Sequence, residues 1–172
     1  VPSLKNAIEA YYEALKYRTA KVDPAACAVT YNNLALAYWD LSKNEDAEAD
    51  IRLRYRRNAI TAFEAALNTA EISNSLSDVD SAAIYHCLGD VHAQTAESMS
   101  GQEDIAQSLR KSLHSYVRAI KGLSEDSPIF QARLSAIAAN IRSHYEHLGL
   151  ASQQTALNSL PAELLPLAMK TL

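Results

Sequence analysis

Two stretches, TYNNLALAYWDL at residues 30–41 and NAITAFEAALN at residues 58–68, carry the pattern that predicts the fold. In the first, apolar or aromatic residues stand three, four and seven positions after Tyr31, which is the spacing of one face of an α-helix. The second stretch has a similar helical spacing of apolar residues around Phe63, with alanines that let a neighbouring helix approach closely. Together the two stretches predict a hairpin of two packed helices.

The same hairpin pattern recurs along the chain. We call the row of residues on one helix face a stripe. The stripe of the first helix of the hairpin begins at Tyr31 and returns at Tyr85, a shift of 85 − 31 = 54 residues. The stripe of the second helix, around Phe63, returns at Tyr116, a shift of 116 − 63 = 53. A second-helix stripe also occurs near the start of the chain, and a first-helix stripe near its end. The sequence therefore predicts a half repeat at 3–20, repeats at about 24–71, 79–122 and 128–160, and a C-terminal cap at 161–172.

The individual helices are predicted at 3–20, 24–43, 45–71, 79–99, 102–122, 128–148 and 151–160, with a further short helix near the C-terminus. Asp23-Pro24 and Ser127-Pro128 each place an N-cap residue before a proline at the first helical position. Residues 100–103 match a capping box, because a serine is followed three positions later by a glutamate. No segment alternates strictly between apolar and polar residues, so we predict an all-α fold without strands.

The stripes resemble the tetratricopeptide repeat pattern W-x2-L-G-x2-Y…A-x3-F, with Tyr31 in place of Trp and Ala35 in place of Gly. The period is about 53 residues rather than the usual ~34, and residues 43–55 are rich in helix formers, so we expect lengthened hairpin arms. In its long repeat period the chain resembles the arrays of cyanobacterial-type signalling proteins, in which the motif AIxAYxxAL precedes the motif NNLxxAY. Residues 7–15 and 32–38 match these two motifs. The resemblance implies a right-handed α-α superhelix, a solenoid of long antiparallel hairpins.

The resemblance also implies a function. Such a solenoid is a protein–protein interaction scaffold without catalysis, here an adaptor or regulatory part of a larger protein, and it binds a partner peptide or helix in its concave groove. The first helix of each hairpin lines that groove, so the implied groove residues are Asn32, Leu36, Trp39, Asp40, His86, Asp90, Gln94, Ser135 and Arg142. Trp39 is the only tryptophan. It is either a partly exposed hot spot of the groove or a core residue packed on a neighbouring helix.

Imidazole, thiol and carboxylate occur together only at residues 86–92. His86 and Asp90 share a helix face and, with His92, could hold a metal ion, while Cys87 could act as a nucleophile. Cys87 adjoins His86 in sequence and so points about 100° away from it on a helix, which is poor geometry for proton transfer. We therefore favour packing and surface roles, with no catalytic residue, metal or cofactor.

A basic run surrounds Tyr55: Arg52, Arg54, Arg56 and Arg57. Such a run could bind phosphate, and a helical-repeat nucleic-acid binder using Arg52–Arg57 is the alternative function. Glu48 and Asp50, however, precede Arg52 and Arg54 by four residues, which is the favourable spacing for solvated ion pairs. The net charge of -4 also gives no general attraction to nucleic acid.

Composition sets the remaining expectations. No run of about 18 apolar residues is present, so no membrane partner is expected. Two cysteines, far apart in helical segments, fit a reducing compartment, and we expect a cytoplasmic protein. The segment 3–20 carries a second-helix stripe without a first helix before it, so Ile8 and Tyr12 should leave an apolar face. That face either belongs to a longer array or is covered by a second copy, which predicts a weak homodimer through this helix.

Overall fold

The computed structural model of the protein describes residues 2–72 and 80–172. Every regular element in these residues is an α-helix, so the predicted all-α class is confirmed. The helices of this part of the chain are α1 (Pro2–Leu15), α2 (Pro24–Ser42), α3 (Ala49–Ile72), α4 (Ser81–Glu97), α5 (Gln102–Ile120), α6 (Pro128–Leu148), α7 (Leu150–Asn158) and α8 (Leu165–Thr171). None of them combines the length and the apolar character that crossing a membrane requires.

Two of the three predicted N-terminal caps are confirmed. The Asp23 carboxylate accepts a 3.0 Å hydrogen bond from the Ala26 N–H at the start of α2. The Ser127 hydroxyl accepts one of 3.2 Å from the Ile129 N–H at the start of α6. The capping box at residues 100–103 is wrong, because Gly101 is the N-cap of α5 and no side chain caps that helix.

Two helices are shorter by four or five residues at one end than the sequence pattern indicates. α1 ends at Leu15 rather than at residue 20, since the Lys16 N–H bonds the carbonyl of Glu13 and tightens the last turn. α3 begins at Ala49 rather than at residue 45, because the Asn44 side chain accepts from the Asp46 N–H and favours a turn there. With 24 residues α3 is still a long arm. The predicted start of the next helix at residue 79 lies outside the described residues.

The chain divides into two compact units, residues 1–84 (unit 1) and 85–172 (unit 2), with the boundary inside α4. In unit 1, α2 packs against both α1 and α3. The core of this unit contains the predicted stripes, with Leu34 and Ala35 buried on α2 and Ala59, Phe63, Ala66 and Leu67 buried on α3. Tyr38, which completes the α2 stripe, is half-buried and stacks on Tyr55 with ring centroids 6.2 Å apart.

In unit 2, α6 is the central helix and packs against α5, α7 and α8. Its buried side chains join those of the neighbouring helices and of the segment between α7 and α8 in one core: Leu113, Tyr116, Ile120, Phe130, Leu134, Ile137, Ile141, Ala156, Leu160, Leu164 and Ala168. Two buried polar side chains also tie α6 to α5, as Arg133 donates to the Ala119 carbonyl and Asn140 donates to the Leu109 carbonyl at 3.2 Å. A buried polar group is costly unless it is hydrogen-bonded, so these bonds select one helix register.

α4 and α5 cross closely at Gly89. A Cβ atom on Gly89 would lie 2.5 Å from two ring carbons of Tyr116, which is shorter than any ordinary contact. Gly89 of α4 therefore provides the space that the aromatic ring of α5 occupies. Gly89 and Tyr116 are the positions that the sequence pattern equates with Ala35 and Phe63.

His92 is buried in unit 2, with 5% of its surface exposed. Burial is the main reason why its pKa is lowered from 6.5 to about 4, and repulsion by Lys111 adds to the effect. Because the folded pKa is depressed, the unfolded state binds more protons between these two values. His92 therefore leaves the free energy of unfolding at its full value above pH 6.5 and lowers it as the pH falls towards 4.

We accordingly expect the free energy of unfolding of the wild type to fall between pH 7 and pH 4.5, with His92 contributing about 3 kcal/mol at most. His92→Leu should make this dependence shallower, since it removes the buried imidazole and keeps an apolar side chain in place. Urea unfolding at several pH values measures it. The matched control is His147→Gln, which removes an exposed imidazole from the same unit and should leave the wild-type slope. Equal slopes in all three proteins would contradict the assignment.

Candidate functional site

Four of the nine implied groove residues lie in unit 1, on one face of α2. Asn32, Leu36 and Trp39 are half-buried and Asp40 is exposed. Val29, one turn earlier on the same face, is 41% exposed. We call these five residues the α2 strip. It lies beside the buried stripe of Leu34 and Ala35, so helical periodicity separates the packing face from a face that solvent reaches.

Trp39 is neither fully exposed nor part of the fully buried core. The Lys43 ammonium lies 3.9 Å from the centroid of the indole ring, within the range of a cation–π interaction. The same ammonium donates to the Asp40 carboxylate at 2.8 Å. The end of the α2 strip thus combines a partly accessible aromatic surface with a positive and a negative group.

Three implied groove residues lie on α4, and the structure brings two of them together. The Tyr116 hydroxyl donates to Asp90 Oδ1 at 2.7 Å, and Asp90 Oδ2 lies 3.9 Å from His86 Nε2. The His86 ring is tilted against the Tyr116 ring, with centroids 5.6 Å apart. Gln94, two turns after His86, is half-buried. His86 and Asp90 are therefore partly engaged in holding α4 to α5.

Sequence reasoning did not foresee the role of Tyr116 in this cluster. Burial and the hydrogen bond to Asp90 raise the pKa of its hydroxyl far above the ordinary value. The phenol therefore stays protonated and acts as a donor. A signal was present, because Tyr116 adds a hydroxyl at the position where the first repeat has Phe63, and a buried hydroxyl needs a partner.

The last two implied groove residues, Ser135 and Arg142, are exposed on α6. The Ser135 hydroxyl donates to the Gln131 carbonyl at 3.0 Å within the helix. Arg142 Nη1 donates to the Thr171 carbonyl of α8 at 3.3 Å. Arg142 therefore contributes to the attachment of α8 to α6.

The metal site considered at His86, Asp90 and His92 is not assembled. No group of three histidine, cysteine or carboxylate side chains within residues 2–72 and 80–172 is placed to hold a metal ion. Cys27 and Cys87 are both free thiols. Burial raises the pKa of Cys27, which keeps this thiol protonated and unreactive.

The arginine run lies on α3, where Arg54 and Arg57 are exposed and Arg52 and Arg56 are half-buried. The predicted pairs of Glu48 with Arg52 and of Asp50 with Arg54 are wrong. Neither pair forms an ion pair, although all four side chains belong to the part of the chain that the structure describes. The first pair fails because Glu48 precedes the helix, and in the second the Asp50 carboxylate accepts from the Ile51 N–H instead.

Unit 2 also contains a cavity of about 460 Å³ between α5, α6 and α7, which sequence reasoning missed. Its lining residues are Arg110, Leu113, His114, Val117, His144, Ala151, Ser152, Thr155, Ala156 and Ser159. Leu113, His144 and Ala156 are buried and form its floor, whereas Arg110, His114 and Thr155 are exposed at its rim. The volume lies within the range of about 300–1,000 Å³ that is typical of small-molecule sites.

His144 is the buried polar group of this cavity, with 2% of its surface exposed. Its Nδ1 lies 2.8 Å from the Ser152 hydroxyl, whereas its Nε2 is buried and has no hydrogen-bond partner in the described parts of the chain. Burial, followed by repulsion from Arg110, lowers the pKa of His144, so the imidazole is neutral near pH 7. The spacing of three residues between His144 and His147 on one helix indicates a surface pair, and this interpretation is wrong for His144.

The comparisons with known proteins add no relative from which a site could be transferred. No family model, curated protein or solved structure matches the chain.

Proposed function

We propose that this chain is a tetratricopeptide-like helical-repeat scaffold, a right-handed solenoid that binds a partner peptide or helix and performs no catalysis. Two features support this proposal. The described residues form helices only, and the stripes that the repeat pattern equates in units 1 and 2 are largely buried. Repeat proteins of this kind use the face beside the packing stripe for recognition.

The observation that carries the proposal is the half-buried Trp39 on the α2 strip. Aromatic side chains that are partly accessible and surrounded by polar groups are the usual anchors of protein interfaces. Leu36, one turn earlier, extends the apolar surface, while Asp40 and Lys43 supply charges of both signs beside it. This combination suits a helix or peptide with an apolar anchor and flanking polar side chains.

The test uses peptides selected from a random displayed library on the wild-type protein. Because Trp39 is the only tryptophan, its fluorescence reports directly whether a selected peptide binds at the α2 strip. Trp39→Ala should weaken the binding of a labelled peptide by about 30-fold or more, measured by anisotropy, since loss of a hot-spot aromatic costs about 2 kcal/mol or more.

The matched control is Tyr17→Ala, which removes an aromatic side chain of unit 1 that is 78% exposed and lies outside the strip. It should leave the peptide affinity unchanged. Peptides that bind Trp39→Ala as tightly as the wild type, without changing Trp39 fluorescence in the wild type, would exclude the α2 strip as the binding face.

The alternative, a nucleic-acid binder using Arg52–Arg57, is favoured by one observation. Glu48 does not pair with Arg52, Asp50 does not pair with Arg54, and Arg54 and Arg57 are exposed. Anisotropy of a labelled single-stranded RNA at low and moderate salt decides between the two functions. Phosphate binding weakens steeply with salt and should be lost in Arg54→Gln/Arg57→Gln. No salt-dependent binding would exclude this alternative.

A weak homodimer through α1 is also proposed. The structure buries Ile8, so the apolar face of this helix is smaller than the sequence indicates, but Tyr12 remains 49% exposed. Its hydroxyl lies 3.0 Å from that of Tyr38. Sedimentation equilibrium at increasing concentration should show association in the wild type and less in Tyr12→Glu. A wild type that stays monomeric throughout would rule the dimer out.

A further inference from the structure

The cavity between α5, α6 and α7 presents positive or hydrogen-bonding groups to anything that enters it. Arg110 and His114 stand at its rim and His144 in its floor, and no acidic side chain is among its lining residues. The remaining floor is apolar, with Leu113 and Ala156 buried there. Such a surface is complementary to a molecule with an apolar body and one negative group.

The His144 imidazole lies in the floor of the cavity beside Ser152. Its Nδ1 lies 2.8 Å from the Ser152 hydroxyl, whereas its Nε2 is closed off from solvent and is not presented to a ligand in the cavity. Among the basic side chains, those that a ligand can reach are therefore Arg110 and His114 at the rim.

We propose that this cavity binds a small organic carboxylate with an apolar body, its carboxylate paired with the Arg110 guanidinium at the rim. The apolar body would pack on Leu113, Val117 and Ala156. No residue of the α2 strip lines the cavity, so this binding does not depend on the proposed peptide-binding face.

One contact must change when the ligand binds. Arg110 Nη2 donates to Glu103 Oε1 at 3.1 Å, in a pair whose side chains are 56% and 87% exposed. Exposed ion pairs contribute little to stability, so a carboxylate in the cavity can replace Glu103 at small cost. The exchange also keeps the guanidinium paired, and a bidentate carboxylate is its preferred partner.

The probes are 3-phenylpropanoate, its neutral isostere 3-phenylpropanamide, and propanoate, which carries the charge without the ring. Titrations of the wild-type protein are followed through the backbone amide signals and the His144 ring signals in NMR spectra. We expect 3-phenylpropanoate to cause saturable shifts at residues of α5, α6 and α7. The amide and propanoate should each bind about tenfold or more weakly, since one lacks the charge-assisted bonds and the other the apolar contacts.

Two variants locate the carboxylate. Arg110→Gln should weaken 3-phenylpropanoate binding about tenfold or more and leave the affinity for the amide unchanged. Lys111→Gln is the matched control, because it removes one exposed positive charge from the next position of α5 without lining the cavity.

Three results would overturn the proposal. If no probe perturbs the wild type in a saturable way, the cavity does not bind this class of ligand. Equal affinities for the carboxylate and the amide would show that the negative charge of the ligand does not contribute to binding. A loss of affinity for 3-phenylpropanoate in Lys111→Gln as large as that in Arg110→Gln would show that the positive charge acts by general attraction and not by pairing with the ligand.

Discussion

Replacing Phe63 by alanine should lower the free energy of unfolding by about 3–5 kcal/mol, the usual cost of deleting a fully buried aromatic side chain. Phe63 has no solvent exposure and lies on α3 among buried alanines, which are too small to close the space that its ring would leave. A typical domain is stable by only about 5–15 kcal/mol, so this substitution removes a large part of the total.

Urea unfolding measures this loss, with the slope of the transition checked for two-state behaviour. Phe63→Leu should cost less, because it keeps most of the buried apolar volume. Tyr17→Ala, at a position that is 78% exposed, should change stability by no more than about 0.5 kcal/mol. A loss below about 1 kcal/mol in Phe63→Ala would mean that the ring is not a core element of unit 1.

Replacing Gly89 by leucine has the second largest expected effect. Even a Cβ atom at this position would meet the Tyr116 ring at 2.5 Å, and leucine adds three further carbons in the same direction. The ring cannot move aside cheaply, because it is buried and its hydroxyl is bonded to Asp90. We expect a loss of about 1–3 kcal/mol or more from overpacking, which exceeds the gain of about 1 kcal/mol in helix propensity.

The test of this contact is a double-mutant cycle with Tyr116→Ala. If the clash with the ring is the cause, Gly89→Leu should cost much less when the ring is absent, giving a coupling of about 0.5–3 kcal/mol. Gly101→Leu is the control, since its nearest neighbour is the exposed side chain of Asp104, which can move. Additive effects in the cycle would show that Gly89 does not face Tyr116.

The sequence by itself determined the helices and their packing faces. Leu34 and Ala35 stand three and four residues after Tyr31, and Leu88 and Gly89 stand at the same distances after Tyr85. Each pair therefore lies on the same side of its helix as the tyrosine, whatever lies opposite. The structure buries all four. Proline after Asp23 and after Ser127 fixed two helix starts for an equally local reason, because a capping side chain reaches only the next turn of its own chain.

Only the tertiary structure decided the polar contacts between helices. Three hydrogen bonds depend on how whole helices are rotated and shifted relative to each other. They are those of Asp90 with Tyr116, of Asn140 with the Leu109 carbonyl and of His144 with Ser152. A displacement of a few ångströms abolishes a hydrogen bond but leaves an apolar stripe buried, so periodicity predicts the stripes and not the bonds. The cavity beside His144 belongs to the same class, since its walls come from three helices and its volume depends on their separation.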